Sequence, residues 1–369
     1  MKEHSLSPAH VRNVLIRGTN WAGDTIISLP AAREIRRIMS GVRITFWVPE
    51  NLRSLLTRAA VCDDIITIPA KQGNPFTRSL RMRNKLAAHS FDLVVLFQNA
   101  FESAFTSWLA RIPFRAGYPT DLRGPLLNLK IPFPVDIRIK HQAFYYLGIA
   151  DYMESLWEGK APDRRVIPEF RIPFDQSDSE TALELIGTLG GGVSKPWFCL
   201  CPGSANSEAK RWPGDYFARL ADILNKRLDA QIIFCGAPSE VALIDNIMSL
   251  QKHSGSINLA GRTDMIGMMR VMSLAQIVVS NDTGSAHLAA AASAKVLTLF
   301  GPTSPGATAP LGTSSYTMQG TAPCAPCTHF KCPKSEHPCM RGLTPTMVFN
   351  RIDWLLTREG SCSQPPLQA

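Results

Sequence analysis

Short apolar runs alternate along this chain with longer segments in which apolar residues return every three to four positions. Residues 14–17 (VLIR), 44–48 (ITFWV), 65–68 (IITI) and 93–97 (LVVLF) are rich in β-branched and aromatic side chains and end in Gly, Pro or polar turns. Each reads as a strand. Between the first two, Ile27, Ala31, Ile35 and Ile38 keep the period of a helix. A polar, Gly-rich passage follows at about residues 175–196, and then the rhythm resumes. Its strands are 198–201, 232–235, 277–280 and 296–300, and its helices 216–227, 241–249 and 285–294. Continuous apolar strands belong to parallel sheets covered by helices on both faces. The pattern therefore predicts an α/β protein with two such sheets, in domains 1–175 and 176–345. Residues 346–369 add a tail and most of a last helical pattern, 345–357, able to pack back on the N-terminal domain.

Length agrees, since 369 residues exceed what one compact core usually holds. No apolar run approaches the roughly 20 residues of a membrane span. The opening MKEHSLSPAH lacks the apolar stretch of a signal peptide, so a cytoplasmic location is expected. Charge sharpens the picture. Of the net +9, residues 1–170 hold +8 (23 Lys and Arg against 15 Asp and Glu). An anionic partner is expected on the N-terminal half: nucleic acid, anionic lipid or a phosphorylated substrate. Added solubility is the plain alternative.

Parallel sheets bind ligands beyond the carboxyl ends of their strands. Four post-strand loops stand out. In RGTNWAGD (17–24), Gly23 permits a tight turn, and Asp24 either caps the following helix or serves as a general base. In PGSANSEAKRWP (202–213), Lys210 and Arg211 beside a Gly-Ser turn suit a diphosphate leaving group, or form a solvated basic turn. In SNDTGSAH (280–287), a small-residue turn enters an Ala-rich helix whose first amides form a phosphate site. There Gly284 leaves room for an anion, Asp282 either caps the helix or binds a donor hydroxyl, and His287 follows one turn on as a ligand or a core histidine. FGPTSP (300–305) is another pocket wall or a plain turn. No GxGxxG fingerprint follows a strand.

Together, IRGTNWAGDTIISLPA, LCPGSANSEAKRWPGDYFARLA, LAGRTDM and VVSNDTGSAHLAAA with VLTLFGPTSP resemble glycosyltransferase family 9, the lipopolysaccharide heptosyltransferases, in order and spacing across both domains. The resemblance implies a GT-B fold of two facing Rossmann-like domains with parallel sheets, acceptor in the first and donor in the second. It implies inverting transfer of L-glycero-D-manno-heptose from ADP-heptose to the heptosylated Kdo–lipid A inner core, the second heptose addition. The enzyme would act at the cytoplasmic face of the inner membrane, peripherally attached. Carried over by position, Asp24 is the base and Lys210 steadies the phosphates. Asp282 holds the donor sugar, Thr283, Gly284, Ser285 and His287 line the diphosphate pocket, and Thr263 meets the nucleoside. Ser204 and Arg211 join the donor side, and Asn20, Trp21 and Gly23 the acceptor loop. No cofactor or catalytic metal is expected, because dispersed cations and helix amides can stabilise the leaving diphosphate.

The segment 324–339 departs from the best-known family pattern. Cys324, Cys327, Cys332 and Cys339, with His329 and His337 nearby, have zinc-like density at gaps shorter than in common zinc modules. A metal site, free structural thiols and redox-dependent disulfides stay open. Cys62, Cys199, Cys201 and Cys235 lie in or beside apolar runs and read as reduced core residues. Two rival functions carry less support. A family transferase using another sugar or step fits the same motifs, whereas an epimerase would need a second acid/base group beside Asp24. A nucleic-acid binder would need basic clusters with interleaved aromatics, and the run Arg78, Arg81, Arg83 and Lys85 reads better as a solvated helix face or a contact to acceptor and membrane.

Overall fold

The computed structural model describes residues 6–68, 74–134, 137, 139–160, 162–205, 207–327 and 329–357. It divides between Pro168 and Glu169 into two compact units, slightly before the expected boundary. Residues 358–369 of the expected tail lie outside the described residues.

The N-terminal unit holds strands β1 Asn13–Arg17, β2 Arg43–Pro49, β3 Asp64–Ile68, β4 Leu93–Leu96, β5 Phe114–Gly117 and β6 Leu129–Lys130. Its helices are α1 Ala22–Ile38, α2 Arg53–Ala59, α3 Pro75–Ala87, α4 Phe101–Leu109 and α5 Ala143–Glu158. The strands pair in parallel in the order β3-β2-β1-β4-β5-β6. The C-terminal unit repeats this plan with β7 Trp197–Cys201, β8 Gln231–Phe234, β9 Ile257–Asn258, β10 Ile277–Asn281, β11 Val296–Phe300 and β12 Ser315–Gln319. Its order, β9-β8-β7-β10-β11-β12, is the same doubly wound arrangement. Helices α6 Gln176–Thr188, α7 Gly214–Leu228, α8 Val241–Ser249, α9 Met265–Ser273, α10 Gly284–Ala291, α11 Pro305–Thr308, α12 Pro338–Arg341 and α13 Pro345–Thr357 surround it.

Burial on both faces explains the continuous apolar strands. In β7, Phe198 and Leu200 join one core cluster while Trp197, Cys199 and Cys201 join the other. Ile232 and Phe234 of β8 separate in the same way from Ile233. Cys199, Cys201 and Cys235 are accordingly buried, free thiols. Cys62 is only half-buried, and burial pushes its thiol up to about 11. The four strands absent from the sequence reading are β5, β6, β9 and β12. Three of them, β6, β9 and β12, are sheet edges, β5 lies next to an edge, and β6 and β9 are only two residues long. Helix α13 packs on α7, with Val348, Ile352 and Leu355 inside the C-terminal core. Its apolar stripe is thus spent within the unit that carries it.

Candidate active site

A doubly wound sheet opens a crevice where neighbouring central strands send their chains in opposite directions. In the C-terminal unit those strands are β7 and β10. The crevice is bounded by the loop 202–213 and the turn 281–284. Asn281, the last residue of β10, is wholly buried. Its Nδ2 donates to the carbonyls of Pro202 (2.9 Å) and Gly203 (3.2 Å), and its Oδ1 accepts from the Trp212 N–H (2.9 Å). One side chain therefore ties both ends of the loop. Trp212, buried itself, donates from Nε1 to Leu343 O at 2.7 Å. A Cβ at Gly203 would stand 1.8 Å from Glu240 Oε1, so any larger residue there would have to displace that carboxylate.

Held this way, the loop delivers Lys210 to Asp282. Lys210 ends a 3-10 turn, and its Nζ donates to Asp282 Oδ2 at 2.7 Å. The same oxygen accepts from Thr303 Oγ1 at 2.7 Å, and Oδ1 accepts from Thr308 Oγ1 at 3.3 Å. Only 4% of Asp282 is exposed, so its charge is stabilised by these partners more than by water. Beside it Thr283 is the N-cap of α10, with no side-chain cap bond, and Gly284 and Ser285 open the first turn half-exposed. First-turn amides point out of a helix, so this end can receive an anion. Ser204 is buried, and its carbonyl accepts from Arg211 Nη2 at 3.0 Å. His287 lies buried in α10, behind that turn. Thr263 stands apart, after β9, with β8 between that strand and β7. Asp282 therefore does not cap α10, and the structure brings Lys210, Asp282 and the α10 turn together without Thr263.

A second chain segment secures this cluster. Ala209 N donates to Phe330 O (2.9 Å), and Ala209 O bonds the His337 ring at Nε2 (2.8 Å). Ser207 Oγ donates to Phe330 O (3.1 Å), and Cys327 N to Pro302 O (2.7 Å). The cysteine-rich stretch thus straps the Lys210 loop and the Thr303 turn. Cys324, Cys327, Cys332 and Cys339 are free thiols, and among the described residues no group of three or more His, Cys, Asp or Glu is arranged to hold a metal ion. Burial raises the Cys339 thiol, with smaller upward contributions from Cys332, Cys324 and Cys327.

The equivalent crevice of the N-terminal unit lies between β1 and β4. Trp21 takes the N-cap of α1 with no side-chain cap bond, and Asp24 sits within the first turn. Asp24 is therefore not the cap, although a carboxylate in a first turn is favoured by the helix dipole. Its Oδ1 accepts from Gln142 Nε2 at 3.4 Å, a long bond from the N-cap residue of α5. Burial first, then the Asp24 charge, push the Tyr146 phenol far up. Asn20 Oδ1 accepts from Arg17 Nη2 (2.7 Å), Gly23 is half-buried and Trp21 is 52% exposed. Arg17 itself is buried over the Trp47 ring, and burial draws it down to about 9. Across the crevice, Asn99 accepts from Arg123 Nη2 (2.8 Å) and from the Tyr145 hydroxyl.

Sequence reasoning missed several of these residues. Asn281, which ends β10, and Thr303 fall inside the loops 280–287 and 300–305 without drawing a role there, and Thr308 ends the short α11 that follows. Gln142 and Asn99 carry no local signal, because only folding brings them to Asp24 and Tyr145, and His337, marked only as a neighbour of the cysteine cluster, reaches Ala209 through folding.

Residues 79–337 match the sequence profile described as glycosyltransferase family 9 (heptosyltransferase). Lipooligosaccharide heptosyltransferase 2 of Haemophilus ducreyi is 29% identical over 307 residues, covering 81% of this chain and 86% of that protein. Lipopolysaccharide heptosyltransferase 2 of Salmonella typhimurium is 24% identical, with 94% and 99% covered. Among solved structures, that of Escherichia coli ADP-heptose LPS heptosyltransferase II superposes with a TM-score of 0.78 at 22% identity, over 95% of this chain and all of that one. This likeness shows the fold, which is the GT-B class with α/β domains of parallel sheet.

Proposed function

Because the chain belongs to glycosyltransferase family 9, we propose that it moves L-glycero-D-manno-heptose from ADP-heptose to the heptosylated inner core of lipopolysaccharide, the second heptose addition. That the chain is a glycosyltransferase follows from the family; the sugar, the step and the residue roles are our reading. The observation carrying it is the Lys210–Asp282–Thr303 cluster beside the open first turn of α10.

In this reading the donor diphosphate lies against the Gly284 and Ser285 amides. Lys210 turns from Asp282 to the phosphates, and Asp282, held by Thr303 and Thr308, accepts hydrogen bonds from heptose hydroxyls. Arg211 adds a second cation, Ser204 a loop contact, and Thr263 reaches the nucleoside from beyond β8. His287 supports the turn from behind. In the N-terminal unit, Asp24 takes the proton of the attacking acceptor hydroxyl, with Asn20, Trp21 and Gly23 shaping its loop. The hydroxyl oxygen bonds to the anomeric carbon as the bond to ADP breaks, inverting the centre. Charge developing on ADP is met by fixed donors, which lowers the barrier because they need no reorganisation. The acceptor's phosphates and sugar acids match the +8 of residues 1–170. Its lipid anchor makes the cytoplasmic face of the inner membrane the place of action. Among the described residues no helix is long and apolar enough to cross a membrane, so we infer peripheral attachment.

The test is transfer by purified protein from ADP-heptose to defined truncated cores. Turnover on a core bearing one heptose supports the assignment. Turnover on the bare Kdo core alone would move it to the first addition. Donor epimerised without acceptor would move it to an epimerase.

A further inference from the structure

Helix α4 has its polarity reversed. Ser103, Ala104, Thr106 and Ser107 face inward, and the hydroxyls are all bonded. Ser103 Oγ donates to Gln98 Oε1 (2.7 Å), Thr106 Oγ1 to Ser79 Oγ (2.9 Å), and Ser107 Oγ to Ser103 O (2.8 Å). Opposite run exposed Phe101, half-buried Phe105 and exposed Trp108, at the i, i+4, i+7 spacing of one helical stripe. Phe101 and Trp108 are 45% and 49% exposed, and Phe76 of α3 is 57% exposed. The rings form one ladder: Phe105 stacks on Phe101 at 5.8 Å, on Trp108 at 6.0 Å and on Phe76 at 6.1 Å. Packing within the unit does not call for this arrangement, and contiguous exposed apolar patches mark interaction sites.

Charge identifies the occupant. Arg81 and Arg83 are exposed on α3, which has no acidic residue. The one carboxylate of α4, Glu102, is occupied by Arg78 at 2.7 Å. Arg83 follows Phe76 by seven residues, on the same stripe of α3, and Arg81 adds a second exposed cation to that helix. An aromatic stripe that runs on into arginine suits the headgroup level of an anionic bilayer. A second copy of the chain would bring the same cations to the same face. The ladder also begins beside the Asp24 crevice: Phe101 follows Asn99 by two residues, Asn99 bonds the Tyr145 hydroxyl of α5, and the α5 cap Gln142 reaches Asp24.

We propose that the aromatic stripe of α3 and α4, with Arg81 and Arg83, docks the protein on an anionic lipid surface. The proposal rests on the reading above that the acceptor is lipid-anchored, and it names the face that brings Asp24 to it. The experiment is co-sedimentation of the full chain with vesicles of phosphatidylcholine, with and without phosphatidylglycerol. Wild type should bind the anionic vesicles and be released by salt. The variants Phe101→Ser/Trp108→Ser and Arg81→Glu/Arg83→Glu should each partition about tenfold less. Both should keep wild-type ADP affinity and wild-type transfer to an acyl-free core oligosaccharide, while losing transfer to vesicle-borne acceptor. Wild type that ignores anionic vesicles, or variants that bind as well as wild type, overturn the proposal. So does a wild-type dimer in sedimentation velocity that Trp108→Ser splits, which would assign the face to a second copy. Vesicle binding without any heptose transfer to the acyl-free core would instead overturn the functional reading and leave the docking surface standing.

Discussion

In the reading proposed above, Lys210 has two separable roles, pairing with Asp282 and meeting the donor phosphates. Consider Lys210→Met. Asp282 is 4% exposed and keeps only the hydroxyls of Thr303 and Thr308, while the lysine side chain is 25% exposed. Breaking a fully buried pair costs about 3–5 kcal/mol, and a surface pair about 0–1. An intermediate loss of about 2 kcal/mol follows. For a unit of this size that is roughly 4–8 °C in melting temperature. Asp282→Asn should lose a similar amount, since the ammonium is then unpaired. The double variant Lys210→Met/Asp282→Asn removes both charges and should recover most of the stability, a coupling of about 1–2 kcal/mol. Function should not recover with it. Losing a charge-assisted bond to phosphate costs about 1.5–3 kcal/mol, or roughly ten- to a hundredfold in ADP affinity. Loss of transition-state stabilisation should lower kcat about a hundredfold or more. Urea unfolding, calorimetric ADP binding and turnover on a heptosylated core read the three quantities separately. A double variant that regains both stability and ADP affinity would refute the phosphate role and leave Lys210 as a partner of Asp282 alone.

Three further outcomes follow from the same geometry. Asp24→Asn should lower kcat by about 10²–10⁴ with little change in donor KM, measured by steady-state turnover; an undiminished rate would remove Asp24 as base. His337→Asn tolerates the left-handed backbone at that position (φ 44°) but cannot reproduce the ring's bond to Ala209 O. It should weaken ADP binding about fivefold with the fold intact by circular dichroism, on a net value of about 1 kcal/mol for the lost bond. Alkaline titration probes the N-terminal core, where burial raises the Tyr118, Tyr145 and Tyr146 phenols, Tyr145 to about 12. The unfolded chain releases those protons near pH 10 and the folded one later, so stability holds below about pH 10 and declines above it. Absorbance at 295 nm should show these phenols ionising after the exposed ones, and a melting temperature flat from pH 9 to 12 would contradict the shift.

How far the amino-acid order alone reaches depends on the range of the force involved. The eight strands with unbroken apolar runs (β1–β4, β7, β8, β10 and β11), the helices between them and the doubling of the plan are written locally, because burial on both faces demands such runs and a helix demands its 3.6-residue period. Lys210, Asp282 and the α10 turn were legible for a related reason: loops after parallel strands converge, and Gly, Asp and paired cations are chemically conspicuous there. What the order left open was settled by contacts between residues distant along the chain. Asp24 sits at the third position of α1 and not at its cap, because Trp21 takes the cap. Asp282 is enclosed by Thr303 and Thr308, Ala209 is pinned by His337, and α13 spends its stripe on α7. The inverted face of α4 shows the same limit: periodicity marks a stripe of rings, but which side of a helix meets water depends on the sheet it packs against. Local pattern fixes what a segment prefers to be, and only tertiary packing selects which of its faces is buried and which groups meet there.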